Sequence, residues 1–490
     1  MNQRSDIGKT LHIVGLAVVI LFVLSFIDFS KITGGTLKNY GLFGDIMAKT
    51  QSDAEIDDDN GSMVSDIDPE LLKAMAEEES NEAEEQKPND DKPRNVEPTA
   101  APEEASIAQE ETTNSPQTVE LPEIKPNKSG ETVLIEDYSG NGLQNFRNSL
   151  YSDGITRVAV VGDSYIEGDI FTQNLRERLQ SEYGGSGVGY VNMYSEFPGF
   201  RRSIKQSGSG WTERSAAKSH KNRYISLSER YYVITSAGEG ATSKYKGVSA
   251  LEHLDEWNKS MFLFVAPTGV VIQAKTNGEY QTYEYEASPY VQSLEVDGAT
   301  SQFDLKVSGD SLVALGVWLD SGSGVSVDCM SSRGYSGITL SSVNVNLSQQ
   351  MSKMVDYDLI ILEFGINAMS ARQTNYSVYS SRMAKSIDRI KECYPNADII
   401  LMGIGDRGEK QGSEVHSMAT APHMISAQRD AARKAQVLFW DTREAMGGND
   451  AIVTWSRMGY ANKDYIHLTH KGGGVLAEKF FESLQLAIQQ

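Results

Sequence analysis

The first strong pattern along the chain is an unbroken apolar run. Leu11 to Ile27 is 17 residues without Asp, Glu, Lys or Arg. At about 1.5 Å of helix per residue this lies near the short limit for crossing a bilayer. Arg4 and Lys9 precede it, which predicts a cytoplasmic N-terminus. The flank Asp28-Phe29-Ser30-Lys31 has no small-x-small cleavage site, so residues 1–30 read as an uncleaved signal anchor, with a removed signal peptide as the rival. Residues 31–130 show no apolar periodicity. Seven of the 13 prolines fall within residues 51–125, at 69, 88, 93, 98, 102, 116 and 122. Such a segment cannot bury enough apolar surface to offset the entropy of ordering, and a disordered tether is expected.

From residue 131 the pattern alternates between buried-strand and helix signatures. Val133 to Ile135 reads as a short strand and Leu143 to Tyr151 as a helix. Val158-Ala159-Val160-Val161 is a continuous β-branched run of the kind found in parallel sheets. Phe171 to Tyr183 follows with helical spacing. Strands at Val325–Cys329, Leu359–Leu362, Ile399–Met402 and Val437–Trp440 alternate with helices at 376–393, 424–435 and Gly474–Ile488, and residues 405–422 read as a loop. This grammar predicts an α/β fold with a parallel sheet between helices. Between residues 206 and 324 it changes to short alternating runs separated by Asn277-Gly278 and Asp297-Gly298. Those turn signals predict an antiparallel β-sandwich. The expected organisation is an α/β domain in two parts, 131–205 and 325–490, with the sandwich set inside it.

Charge sharpens this division. The 490 residues carry a formal net charge of −22, but residues 51–125 alone hold 23 acidic and 5 basic side chains. The acidity therefore belongs to the tether. An acidic chain without a basic surface is not expected to bind nucleic acid, which needs cations against its phosphates. Two cysteines, Cys329 and Cys393, are too few for a disulfide framework, and either a pair or two free thiols fits the sequence.

Candidate chemistry sits at the ends of the predicted strands, where open parallel sheets gather ligands. The first strand ends in Gly162-Asp163-Ser164, so Ser164 is placed as a nucleophile with its own amide N–H facing a developing oxyanion. An ordinary turn capped by Ser164 fits the same tripeptide. A serine hydroxyl needs a base, and the loop before the last helix supplies Asp464-Tyr465-Ile466-His467. His467 can take the proton while Asp464 fixes its tautomer. His467 with His470 could instead be a metal pair, but no Cys or Glu cluster accompanies them, and no metal or cofactor is expected. Gly334-Tyr335-Ser336-Gly337 and Glu363-Phe364-Gly365-Ile366-Asn367 follow two further strands and offer an N–H and a side-chain amide as oxyanion donors.

The order Gly-Asp-Ser, Gly, Gly-x-Asn and Asp-x-x-His resembles the SGNH (GDSL-type) hydrolase superfamily. The resemblance implies a three-layer flavodoxin-like fold. It matches Ser164 to the nucleophile and Asp464 and His467 to the acid–base pair. Gly337 and Asn367 match oxyanion donors beside Ser164, with Gly334 one turn earlier as the alternative glycine. The β-domain between the first two blocks, Phe171-Thr172, Phe439-Trp440-Asp441 and Met446-Gly447-Gly448 are similar to peptidoglycan O-acetylesterases of the Ape type. Tyr165 departs from that group, which commonly has His there, and Ala368 stands where many SGNH enzymes have Asp.

The resemblance implies an extracytoplasmic, periplasmic head that removes O-acetyl groups from an envelope glycan, held to the inner membrane by its N-terminal helix. An O-acetyltransferase fed by a membrane partner, and a non-catalytic glycan-binding protein, are the alternatives. Arg407 and His416 are candidates to shape the sugar side. Trp211, Tyr231, Tyr232, Trp257 and Trp318 are candidates for a sugar-stacking face or, more simply, for core.

Overall fold

A computed structural model describes residues 132–195, 199–219, 223–236, 238–249, 251–309 and 311–489. The apolar N-terminal run and the acidic tether lie outside the described residues. Among the described residues no helix is long and apolar enough to cross a membrane.

In chain order the first elements are β1 (Glu136–Asp137), α1 (Gln144–Leu150), β2 (Ile155–Gly162) and α2 (Thr172–Tyr183). The strands β3 (Gly189–Val191), β4 (Lys205–Ser209) and β5 (Trp211–Ser215) follow, then the short α3 (Ala216–Ser219). Next come β6 (Arg230–Ile234), β7 (Ala241–Lys246), β8 (Trp257–Val265), β9 (Val270–Lys275) and β10 (Gln281–Tyr285). The middle of the chain closes with β11 (Val291–Thr300), β12 (Gln302–Ser308), β13 (Val313–Asp320) and β14 (Gly324–Ser331). After α4 (Val345–Met351) come β15 (Leu359–Glu363), α5 (Ser377–Cys393), β16 (Asp398–Met402) and the hairpin β17 (Gly408–Gln411) and β18 (Glu414–Ser417). The last elements are α6 (Ala421–Ala435), β19 (Leu438–Trp440), α7 (Thr442–Met446), α8 (Ala451–Arg457) and α9 (His470–Gln489).

The main sheet has the order β1-β19-β16-β15-β2-β14. Its four pairings from β19 to β14 are parallel, and β1 closes the edge antiparallel. Leaving out β1, the chain runs β2, then β14 on one side, then β15, β16 and β19 on the other. This is the flavodoxin-like order, and the direction of winding reverses between β2 and β15. Helices cover the sheet in packed groups, α2 with α9 and α5 with α4 and α6. On α5 the buried Tyr379, Met383, Ile387 and Ile390 recur at three- and four-residue spacing, which gives the helix one apolar stripe.

The middle of the chain forms two antiparallel sheets, β10-β9-β12-β7-β4 and β11-β8-β13-β6-β5, with β3 beside β13. Phe303, Leu305 and Val307 of β12 point inward at period two and meet Phe262, Phe264 and Ile272 in a second core. The wall formed by β8 and β13 is buried on both faces. Phe262 and Phe264 face the sandwich core, whereas Met261, Leu263 and Val265 join the main core. The sandwich therefore shares a wall with the α/β domain, which is why Met261 to Val265 reads as a continuous apolar run.

Several expectations are corrected. The sandwich reaches back before residue 206, because β3 pairs with β13 and β4 with β7; pairing across the fold, not local periodicity, sets that edge. Trp211, Tyr231, Tyr232, Trp257 and Trp318 are all buried, so they are core and not a stacking face. The loop 405–422 holds the β17–β18 hairpin, whose four-residue strands carry no alternating pattern. The first strand is Glu136–Asp137 and not Val133–Ile135. The last helix begins at His470 and runs through Gly472 and Gly473. A Cβ at those glycines would lie 1.8 Å from the Tyr460 carbonyl and 2.2 Å from that of Ile170, so they admit close backbone approach and do not break the helix. Cys329 and Cys393 are buried and unpaired.

One buried ion pair ties the sheet to α2. Arg176 of α2 donates to both Asp169 oxygens at 2.7 and 3.0 Å and to the Val327 carbonyl at 2.7 Å. Burial pushes the Asp169 carboxyl up, but Arg176 and Arg201 outweigh it and hold the group well below the usual carboxylate range. Removing one partner leaves an uncompensated buried charge, so Arg176→Ala should lower stability by about 3–5 kcal/mol. A fall in the urea midpoint at unchanged slope is the expected reading.

Candidate active site

The two sequence stretches nearest the reversal point meet first. β2 ends at Gly162, where a Cβ would lie 2.5 Å from the Glu363 carbonyl. The Asp163 N–H then donates to that carbonyl at 3.2 Å. The Asp163 carboxylate accepts the Tyr165 N–H at 2.9 Å, folding the chain into a turn around Ser164. Tyr165 is buried, and its hydroxyl contacts Met446 Sδ at 3.2 Å, so the departure at this position fills core. Ser164 is 8% exposed.

The loop before α9 supplies the other half. An isolated bridge between Ala461 and Leu468 pins its base, and the Asn462 N–H donates to the His467 carbonyl at 2.8 Å. Asp464 Oδ1 accepts the N–H groups of Ile466 and His467 at 3.0 and 3.1 Å. Its Oδ2 lies 2.8 Å from His467 Nδ1, and His467 Nε2 lies 2.9 Å from Ser164 Oγ. Residues 303 apart in sequence are thus joined in one hydrogen-bonded chain.

Electrostatics follow the geometry. The hydrogen bond to Asp464 raises the His467 pKa above the ordinary histidine value; burial opposes this, while the charges of Asp464 and Asp163 add to it. Burial pushes Asp464 up, but the His467 ring and the two backbone donors outweigh it and hold the carboxyl below its ordinary value. Asp464 is therefore ionised at neutral pH and holds the imidazole with its proton on Nδ1, leaving Nε2 as an acceptor toward the serine.

Three donors were expected around an oxyanion. The amide N–H groups of Ser164 and Gly337 donate to no group among the described residues. Gly337 has φ +87°, and a Cβ there would meet the Phe364 ring at 2.8 Å. Gly334 also has positive φ but meets nothing within 4 Å. Asn367 is 9% exposed, and its Nδ2 donates to Asp163 Oδ2 at 3.0 Å and to the Tyr335 carbonyl at 2.9 Å. Both amide hydrogens are therefore engaged, and Asn367 can serve a third acceptor only by exchanging one of these partners.

Two supports were not read from the sequence in this role. Gln428 of α6 donates to the Phe364 carbonyl at 2.7 Å and accepts the Ile404 N–H at 2.9 Å, joining the ends of β15 and β16. The Gly408 N–H at the start of β17 donates to the Tyr465 carbonyl at 2.8 Å, so the hairpin steadies the histidine loop. Arg407 is buried, and its Nη1 donates to the Ile366 carbonyl at 2.7 Å; it props the Asn367 turn and does not face a sugar site. His416 pairs with Asp450 and Glu414 at 3.2 and 3.4 Å. His470 turns to Gln173 at 3.3 Å. Among the described residues no three His, Cys, Asp or Glu side chains gather as metal ligands.

A cavity of about 340 Å³ lies against the Glu167–Asp169 segment that follows the Ser164 turn. Glu167, Arg333 and Tyr335 line it from the α/β side, and Glu213 and Arg230 from the sandwich. Arg333 and Glu167 form an ion pair at 2.8 Å across its rim.

Residues 307–473 match the GDSL-like Lipase/Acylhydrolase family model. A solved peptidoglycan O-acetylesterase overlays with TM-score 0.59 at 20% identity, covering 72% of this chain and 99% of that one. A family two carbohydrate esterase from Cellvibrio japonicus aligns over 58% of this chain and 99% of that one at 10% identity, with TM-score 0.24. An acetyl xylan esterase aligns over 33% of this chain and 81% of that one at 17% identity, with TM-score 0.25. The last two overlay too loosely to bear on the argument. No curated protein sequence matches the chain. The first overlay and the family match agree with the SGNH fold expected from the motifs.

Asp464→Asn removes the leading support of the raised histidine pKa. The His467 titration followed by proton NMR should therefore move down relative to the native protein.

Proposed function

We propose that this SGNH-type serine esterase, with its GDSL-like acylhydrolase domain, removes O-acetyl groups from a polysaccharide of the cell envelope, such as peptidoglycan. The observation that carries the reading is the unbroken chain from Ser164 through His467 to Asp464, with the Ser164 and Gly337 backbone N–H groups left open. The overlay on a peptidoglycan O-acetylesterase supports the substrate class. The 17-residue apolar run behind Arg4 and Lys9 supports a membrane-tethered head on the periplasmic side.

In this reading His467 Nε2 takes the Ser164 hydroxyl proton as Oγ attacks the acetyl carbonyl carbon. The Ser164 and Gly337 N–H groups receive the oxyanion, and Asn367 joins them by exchanging the Tyr335 carbonyl for it. The tetrahedral intermediate collapses, the C–O bond to the sugar breaks, and His467 returns the proton to the sugar oxygen. Water, deprotonated by His467, then attacks the acyl-serine. Acetate leaves, and the proton returns to Ser164. Asp464 stays ionised and stabilises the imidazolium in both halves. A transferase would share the acyl-serine and differ only in its acceptor. Comparing acetate release with sugar acetylation from one donor separates the two. A non-catalytic glycan-binding role leaves the assembled triad without a use.

Ser164→Ala should lower acetate release from an O-acetylated glycan by about 10⁶-fold; unchanged release rejects the reading. Asn367→Ala should cost about 10²–10³-fold in kcat. The base works only when neutral, and its pKa is raised. The rate of acetate release should therefore be full at alkaline pH and fall as pH drops through a midpoint above the ordinary histidine value.

A further inference from the structure

Beneath the serine lies a second carboxyl that these steps do not use. Glu363 ends β15 and is fully buried, as is Asp163 after β2. Neither ion-pairs with a cation: among the described residues the salt bridges involve other carboxylates. Asp163 already accepts hydrogen bonds from the Tyr165 N–H and the Asn367 amide. Glu363 has no such donors, since no N–H or hydroxyl reaches either of its carboxyl oxygens. The Asp163 carboxyl is its polar neighbour: β2 and β15 pair Gly162 with Glu363, and the next residue, Asp163, donates its N–H to the Glu363 carbonyl at 3.2 Å, so the two carboxyls act on each other. Two carboxyl groups can hydrogen-bond only when one of them holds a proton. Two bare carboxylates in contact, buried and without a cation, would be strongly disfavoured.

We propose that Glu363 is a protonated positioning residue, whose O–H donates to the Asp163 carboxylate so that Asp163 can hold the Asn367 amide and the Ser164 turn in register. The proton is placed on Glu363 because Asp163 has two other donors that favour its charged form, and Glu363 has none. Burial pushes both carboxyls up, and their mutual interaction lowers Asp163 while raising Glu363 further. The other ionisable groups facing the pair are His467, Glu167, Tyr165 and Tyr379, with Asp406 beyond Tyr165. The consequence for Asn367 is specific. With one hydrogen directed to Asp163, the amide can turn only its second hydrogen, now on the Tyr335 carbonyl, toward an incoming oxyanion.

The role of Glu363 in turnover rests on the esterase reading, but its protonation does not, and the experiment separates them. Infrared spectra of Ser164→Ala protein at neutral pH should contain a carbonyl band of a buried protonated carboxyl. That band should vanish in the Ser164→Ala/Glu363→Gln double variant, and its absence from the parent overturns the proposal whether or not the protein is an esterase. In the active background, Glu363→Leu should lower kcat for acetate release about 100-fold at similar KM. Glu363→Gln keeps a neutral donor toward Asp163 and should return kcat to within a few-fold of the native value. A Gln variant as poor as the Leu variant overturns the proposal, because it shows that the carboxylate and not a donor is needed. If the Leu variant does not fold, the infrared band and the Gln variant still decide. Native protein that releases no acetate from any O-acetylated glycan rejects the esterase reading and leaves the infrared result standing.

Discussion

The parallel pairing of β2 with β15 is the constraint on which the site depends. It aligns Gly162 with Glu363 and brings two loops, about two hundred residues apart in sequence, into hydrogen-bond contact through Asp163 and Asn367. The winding direction reverses between these strands, so the helices that follow them leave a crevice at their carboxyl ends. Ser164 stands on one side of that crevice and Asn367 on the other. The His467 loop then needs only to be delivered over it, and the Ala461–Leu468 bridge and the Gly408 contact do so.

The inserted sandwich is part of this arrangement. Its β8–β13 wall is buried on both faces, so moving it would expose the main core as well as its own. It also reaches the Ser331–Tyr335 segment directly. Arg230 of β6 holds the Ser331 carbonyl, and the Ala217 N–H donates to the Tyr335 hydroxyl at 3.0 Å. The Tyr335 carbonyl in turn accepts the Asn367 amide. A set of hydrogen bonds therefore links the insert to the Asn367 amide, and both domains line the cavity of about 340 Å³.

Much of the fold was legible because buried parallel strands announce themselves. Val158–Val161, Leu359–Leu362 and Ile399–Met402 are apolar on both faces, and the structure places them in adjacent strands. The hydrogen-bonded trio was legible for a related reason: Ser164, Asp464 and His467 each sit at the end of such a strand or just before a helix, where polar residues have no structural need to cluster. The misses have physical causes too. Short hairpins such as β17–β18 carry no periodicity. The glycines at 472 and 473 resemble a helix stop until the backbone of residues 170 and 460 arrives against them. Glu363 looked like the polar end of a strand, and nothing local distinguishes an exposed carboxyl from a buried one.

By itself the sequence determined the alternation of elements, the change to short antiparallel strands in the middle of the chain and the residue types able to run acyl transfer, because these rest on local periodicity and on side-chain chemistry. Tertiary structure decided what depends on contact. It settled which aromatic residues are core, that the two cysteines stay apart, and that Arg407 turns inward. It also placed Asn367 between two acceptors and set Glu363 against Asp163. Burial and distance across the fold create those properties, and a linear chain carries neither.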